Sequence, residues 1–418
     1  MKHLILIALL TGCVFIHSPA QNKKLVLGGY GEAVAQRMFF SDNVQRYTYP
    51  ESNKDASHGR FDLPHVVVYA SYDFGKGWKM SSEIEFEHGG SGSTYEIEKE
   101  ETGEYETEIE KGGEVALEQF WLEKTFSDQA HLRLGHIIVP IGLTNQYHLP
   151  TEFFSVLRPE EESAILPCTW HQTGISFWGK AKDWRYEAQL LPGLDAERFN
   201  NANWIKEGAI SPYEFEIANS YAGALRIDNY SVPALRIGFS GYYGQSALNS
   251  LKWDRYNSKN VGGTVTVGTI DAVYNGHNLL ARANVIYGHL LNSYTISMIN
   301  RGLPSASPSP KTNIASDVLS YYVEAGYNVL SLFPDFKGKE DKLYLYGHYG
   351  FYDSMYKTDK RITPKGWSSK TILSAGINYF PIKEIVVKAE YSFRKLKEQY
   401  NNEPTVSLGI AYAGLFKL

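Results

Sequence analysis

The segments EIVVKAEYSF, residues 384–393, and PTVSLGIAYAGLF, residues 404–416, decide the fold of this chain. In the first, Ile385, Val387, Ala389, Tyr391 and Phe393 alternate with Val386, Lys388, Glu390 and Ser392. In the second, Val406, Leu408, Ile410, Tyr412 and Phe416 alternate with Thr405, Ser407, Gly409, Ala411 and Ala413. Successive side chains of an extended strand point to opposite faces, so each segment has one apolar face and one polar or small face. The same pattern recurs at 183–191, where Trp184, Tyr186, Ala188 and Leu190 oppose Arg185, Glu187 and Gln189. It recurs again at 76–88, where Trp78, Met80, Ile84 and Phe86 oppose Lys79, Glu83, Glu85 and Glu87.

Working outward, about sixteen such segments can be counted, at 25–37, 61–74, 76–88, 114–126, 130–139, 172–180, 183–191, 219–229, 233–244, 264–275, 277–289, 317–330, 341–352, 370–380, 383–393 and 404–416. Each has the length of a tilted strand that crosses a bilayer, roughly 9–11 residues. Helical periodicity is almost absent. Alternation alone does not say which face meets water, since a soluble sandwich alternates too. The connections decide it. Those following even-numbered segments are short, such as Gly75, Ala181–Lys182 and Gly276, with only Ser331–Glu340 longer. Those following odd-numbered segments are long: 38–60, 89–113, 140–171, 192–218, 245–263, 290–316, 353–369 and 394–403. Short periplasmic turns, long extracellular loops and an even strand count define an outer-membrane barrel. The expected fold is therefore an all-β, transmembrane antiparallel β-barrel of about 16 strands. It must close, because no unpaired sheet edge can sit in lipid.

Composition agrees. Of 418 residues, 43% are hydrophobic and 21% charged, and the 30 Tyr, 20 Phe and 8 Trp suit aromatic girdles at the two interfaces. The net charge of −5 gives no basic face for nucleic acid. No apolar run of membrane-helix length follows the leader. Residues 1–20 read as a signal peptide, with an apolar stretch from Leu4 to Ile16 and small residues at Ser18 and Ala20. Residues 21–418 are then the barrel, with one cysteine, Cys168. A lipid-attachment reading of Leu10-Thr11-Gly12-Cys13 competes, but leaves Val14, Phe15 and Ile16 unexplained.

The longest connection, 140–171, follows Gly135 and Pro140-Ile141-Gly142. It contains Phe153-Phe154 and Arg158-Pro159, and it re-enters at Gly174. In these features, and in the Gly28-Gly29-Tyr30-Gly31-Glu32 opening, the chain resembles the phosphate-selective porin O/P family. The resemblance is strongest over 114–180. It implies a homotrimer of sixteen-stranded pores, each with its third long loop folded into the lumen as a constriction. By that analogy Arg158, Glu160, Glu161 and Glu162 form the constriction, where opposed charges would set a field across the pore.

Alternation places Arg133, Arg185, Arg226, Arg236, Arg282, Lys388 and Arg394 toward the lumen, together with Glu83, Glu85, Glu87, Glu187, Asp228, Glu324 and Glu390. These lists cancel, which suits weak selectivity or a neutral solute better than a phosphate ladder. The facing of 114–126 and 341–352 is ambiguous. The acidic connection 89–113 reads as a hairpin. With a two-residue tip, Lys99 faces Glu106. With a three-residue tip, carboxylates such as Glu104, Glu106, Glu108 and Glu110 gather on one face and could hold Ca²⁺. No metal centre, cofactor or catalytic motif is otherwise expected. The expected function is a passive porin in the bacterial outer membrane, contacting lipid and passing small hydrophilic solutes or ions. A substrate-specific channel for a sugar, phosphate or hydrophobic compound is the alternative, and a surface adhesin a third.

Overall fold

The computed structural model describes residues 24–42, 46, 57–88, 93–98, 106–111, 115–210, 215–251, 253–303, 313–336, 339–396 and 402–417. The leader expected at 1–20 lies outside them, and so does Glu104.

Sixteen antiparallel barrel strands follow one another around a single closed sheet. They are β1 (Lys24–Met38), β2 (His58–Asp62 and His65–Gly75), β3 (Trp78–Glu87), β4 (Val115–Ser127), β5 (Ala130–Ile138), β6 (His171–Ala181), β7 (Trp184–Pro192) and β8 (Tyr221–Val232). Then come β9 (Leu235–Gln245), β10 (Thr264–Gly276), β11 (Leu279–Leu290), β12 (Asp317–Asn328), β13 (Lys342–Lys357), β14 (Ser369–Ile382), β15 (Ile385–Leu396) and β16 (Glu403–Lys417). β1 closes the barrel against β16 in continuous register from Val26 opposite Lys417 to Met38 opposite Thr405. At this seam Gly28 is required by space, because a Cβ there would run into the carbonyl oxygen of Gly414.

The exposure pattern is that of a membrane barrel. On β16, Leu408 and Ile410 are 55% and 53% exposed, while Thr405 and Ser407 on the opposite face are 3% and 1% exposed. Leu225, Ile227, Phe239, Ile270, Val285, Leu373 and Leu345 extend this outward apolar band around the wall. An apolar exterior around a polar interior has its favourable solvent in hydrocarbon, and a barrel with this band sits in the bacterial outer membrane.

Three expectations are corrected. The second segment is two pieces that both pair with β1, interrupted at Leu63-Pro64, because Pro64 has no N–H to continue the ladder. The segment expected at 317–330 ends at Asn328, and the longer turn after it winds into 3₁₀ turns at Val329–Leu332 and Pro334–Phe336. The segment expected at 341–352 runs on to Lys357. The long connections also carry short helices: α1 (Glu160–Ser163), α2 (Arg255–Val261) and α3 (Ser293–Arg301).

The two segments of ambiguous facing now have reasons. In β4 a bulge opposite Glu83 and Ile84 inserts Glu118 as an extra residue. Before it, Ala116 and Glu118 point in; after it, Trp121 and Glu123 do. In β13 both faces are aromatic: Tyr344, Tyr346 and Tyr352 are buried, whereas Tyr349 is exposed. In the extramembrane hairpin, Glu98 pairs with Glu106 and Glu96 with Glu108, the register of an odd-numbered tip.

Candidate functional site: the loop inside the barrel

The 140–171 segment leaves β5 by a turn that only glycine permits. Gly142 has φ +83°, and a Cβ on it would strike the Glu162 carboxylate. That carboxylate accepts N–H bonds from Leu143 at 3.0 Å, Thr144 at 2.9 Å and Asn145 at 3.3 Å, and another from Asn284 on β11 at 2.5 Å. Asn145 ties the two ends of the segment together. Its amide donates to the carbonyls of Ile141 and Pro167, and its oxygen accepts from Trp170 N–H.

From this base the segment reaches around the inner wall. Arg226 on β8, with no solvent exposure, donates to the Gly142 carbonyl at 2.8 Å and to the carboxylates of Asp228 and Asp271. Glu161 accepts from His348 on β13 at 2.8 Å, and its carbonyl accepts from Ser320 on β12. Glu160 takes Tyr352 at 2.6 Å, Lys370 at 3.5 Å and Arg394. Lys388 on β15 donates to the carbonyls of Phe153 and Ser155, and Asn378 to that of Phe154. Phe154 stacks on Tyr346 with centroids 5.0 Å apart.

The four residues expected at a constriction therefore divide. Glu161 and Glu162 are buried and fasten the loop. Arg158 and Glu160 keep partial exposure, at separate places. Arg158 donates to Thr169 at 2.8 Å and stands toward Glu85 and Glu118. Burial would raise the Glu160 carboxyl, but Arg394 and Lys370 beside it outweigh that and hold it well below the usual carboxylate range. Burial pushes Glu162 up to about 7, against the lowering effect of its bonds from Thr144 and Leu143.

The 192–218 connection packs against this segment. Leu194, Phe199, Trp204 and Ile205 pack with Ile141, Ile165, Leu166 and Trp170 in one apolar cluster within the barrel. A barrel of this strand number has room for water if its loops stay outside. Here loop side chains occupy much of that room.

The expected lumenal charges all lie on inward strand positions, and their arrangement is ordered rather than mixed. On β4–β10, Arg133 bonds Glu123, Arg185 bonds Glu187, and Arg226 and Arg236 share Asp228 and Asp271. Beyond them Arg282 lies 3.8 Å from Glu324, and Glu390 accepts from Tyr346 and from Val156 N–H. On β1–β4, in contrast, Glu32, Glu83, Glu85, Glu87 and Glu118 are concentrated around Arg158, His65 and His148. Sequence reasoning missed Glu32, Glu118 and His148. The first was readable from the β1 alternation, the second was hidden by the bulge, and the third lies on a loop that no periodicity covers. A cavity of 280 Å³ opens near the short-turn end, lined by Arg133, Gln146, Tyr147, Trp178, Lys180, Arg185, Asp228 and Tyr230.

No family model matches the chain. It is 27% identical over 388 residues to an uncharacterized protein of Aquifex aeolicus (strain VF5), covering 91% of this chain and 78% of that one. Among solved structures it is similar to an anion-selective porin from Comamonas acidovorans (TM-score 0.54, 11% identity, 94% of this chain and 100% of that chain covered). It is also similar to the outer membrane channel DcaP of Acinetobacter baumannii (0.54, 12%, 94% and 97%) and to Salmonella typhi OmpF in complex with daunomycin (0.52, 11%, 93% and 97%). At these identities the likeness is one of fold: the sixteen-stranded barrel of outer-membrane porins.

Proposed function

We propose that this chain is a porin-type, passive diffusion channel of low conductance for small hydrophilic solutes or ions, narrowed by its 140–171 segment. The observation that carries this reading is the loop itself. It is bonded along the inner wall from β8 to β15, yet leaves Arg158 and Glu160 partly open to water. A loop bonded to the wall in this way sets the bore without acting as a removable plug.

The phosphate-selective resemblance carries less weight. Phosphate transfer needs arginines with donors to spare. Here Arg133, Arg185, Arg226 and Arg236 are each engaged by carboxylates, and the donors left over on Arg158 stand toward Glu85 and Glu118. The unbalanced charge sits instead on the acidic β1–β4 wall, which favours cations. Assembly as a homotrimer belongs to the same proposal and rests on the family resemblance.

The test is reconstitution in planar bilayers. Discrete conductance steps, well below those of a wide porin, and a reversal potential in a salt gradient with the sign of cation preference are expected. Absence of steps from correctly folded protein refutes the channel, and anion preference refutes the charge argument. A trimer band that heating dissolves on a gel checks the assembly.

A further inference from the structure

The β1–β4 wall contains a group of side chains that channel selectivity alone does not explain. Glu83 on β3, Glu118 on β4 and His148 on the inward loop bring their ligand atoms within 4.8 Å of one another. His148 Nε2 lies 3.8 Å from Glu83 Oε1. Ligands on a metal ion with bonds of roughly 2.1 Å stand about 3.4 Å apart in a tetrahedron, so only a small contraction separates this arrangement from coordination.

Glu118 gives the second observation. It is the extra residue of the β4 bulge, and such bulges re-aim a side chain. It has no solvent exposure, and its Oε1 has no hydrogen-bond partner. Its other oxygen accepts from Tyr30 at 3.1 Å. It also faces the Glu85 carboxylate. Two buried carboxylates brought together need a shared proton, or a cation between or beside them. The nearest fixed cation, Arg158, bonds neither: its Nε and Nη2 are without partners.

The tautomer of His148 fits the same purpose. Its Nδ1 faces the Asn145 carbonyl oxygen at 3.4 Å. A carbonyl only accepts, so Nδ1 carries a proton toward it; Nε2 faces the Glu83 carboxylate and is the nitrogen a metal ion would take, releasing any proton it shares with Glu83. A ring nitrogen held by a backbone carbonyl is the usual outer support of a metal-bound histidine. Gln119 and Tyr30 give the two carboxylates similar support, each donating to one of them.

We propose that His148, Glu83 and Glu118 form a binding site for a divalent transition-metal ion, of which zinc best suits one imidazole and two carboxylates. The ion would join the inward loop to the β3–β4 wall, and His65 with Glu85 and Glu87 forms a second candidate group alongside. The site goes beyond the channel reading and can stand or fall without it.

The test uses the full barrel in detergent, stripped with a chelator and titrated with zinc chloride in competition with a chromogenic chelator. One tightly held equivalent per chain is expected. Glu118→Gln and His148→Asn should each weaken binding by at least about tenfold, the scale on which single groups at a metal site act. Excess Mg²⁺ should not compete. X-ray absorption at the zinc edge should report nitrogen and oxygen neighbours including an imidazole. Heat-modifiable gel mobility verifies that each variant is folded, and His148, lying outside the strands, is the safer of the two. No stoichiometric zinc binding by folded protein overturns the proposal, as does binding that neither substitution changes.

Discussion

Replacing Arg226 by Met tests how the loop is held. The guanidinium is fully buried and bonds Asp228 at 3.0 Å, Asp271 at 3.0 Å and the Gly142 carbonyl at 2.8 Å. Removing it leaves Asp271 with Arg236 at 2.5 Å, and Asp228 with Arg236 at 2.8 Å and Arg185 at 3.5 Å. The cluster then has two arginines, Arg185 and Arg236, for three carboxylates, Glu187, Asp228 and Asp271, so one buried negative charge is uncompensated. Loss of one partner from a buried ion pair costs about 3–5 kcal/mol, and the remaining arginines place this case at the lower end, about 3 kcal/mol. The assay is urea unfolding of the barrel in lipid vesicles, followed by tryptophan fluorescence. Adding Asp271→Asn to Arg226→Met removes the stranded charge and should restore roughly half of the loss, since residues in one network do not act additively. A loss below about 1 kcal/mol, or a double variant as weak as the sum of the two singles, refutes this account of the anchor.

Other predictions concern the same loop and the seam. Glu160 has a lowered carboxyl pKa, so its pairing with Arg394 and Lys370 is complete above the ordinary value of 4.5 and is lost as pH falls further. Conductance should hold through the ordinary carboxylate range and rise only on acidification well below it, and Glu160→Gln should show the raised conductance already at neutral pH. Glu162 has the opposite sign. Its pKa is raised, so its stabilising contribution is full below 4.5 and disappears as pH rises through about 7. Unfolding free energies at pH 5 and pH 8 should differ by up to about 3 kcal/mol from this group, and Glu162→Gln should flatten that slope. Gly28→Val drives a side chain into the Gly414 carbonyl at the closing seam, and should sharply reduce the heat-modifiable folded band while leaving expression of the chain intact.

The barrel was legible because lipid writes its demands into every second residue. Leu408 and Ile410 against Ser407, or Val387 and Tyr391 against Lys388 and Glu390, can be read without knowing any contact. Loop lengths then settle which face is out. The failures were local. One inserted residue, Glu118, reverses the phase of β4, and a strand with tyrosine on both faces, β13, has no phase to read. The site was less legible, because Arg158, Glu160, Glu161 and Glu162 are close in sequence but take different partners: Arg158 a threonine of its own loop, and the three glutamates groups on strands more than a hundred residues away. No spacing rule reports that His348 waits for Glu161. His148 belongs with Glu83 and Glu118 only because a loop folds back onto β3 and β4.

The seam between β1 and β16 has a consequence for how such a chain is made. Every other neighbouring pair of barrel strands is joined by the chain itself, and each could zip onto its predecessor as a hairpin. The seam joins residues at opposite ends of the sequence, and until it forms both terminal strands present open rows of backbone donors and acceptors. Closing so long a loop costs little more entropy than closing one of half its length, by about 0.6 kcal/mol. The delay lies in bringing every strand into place first. Assembly therefore has an obligatory last step, and an intermediate with two sticky edges that the cell must shield until the ends meet.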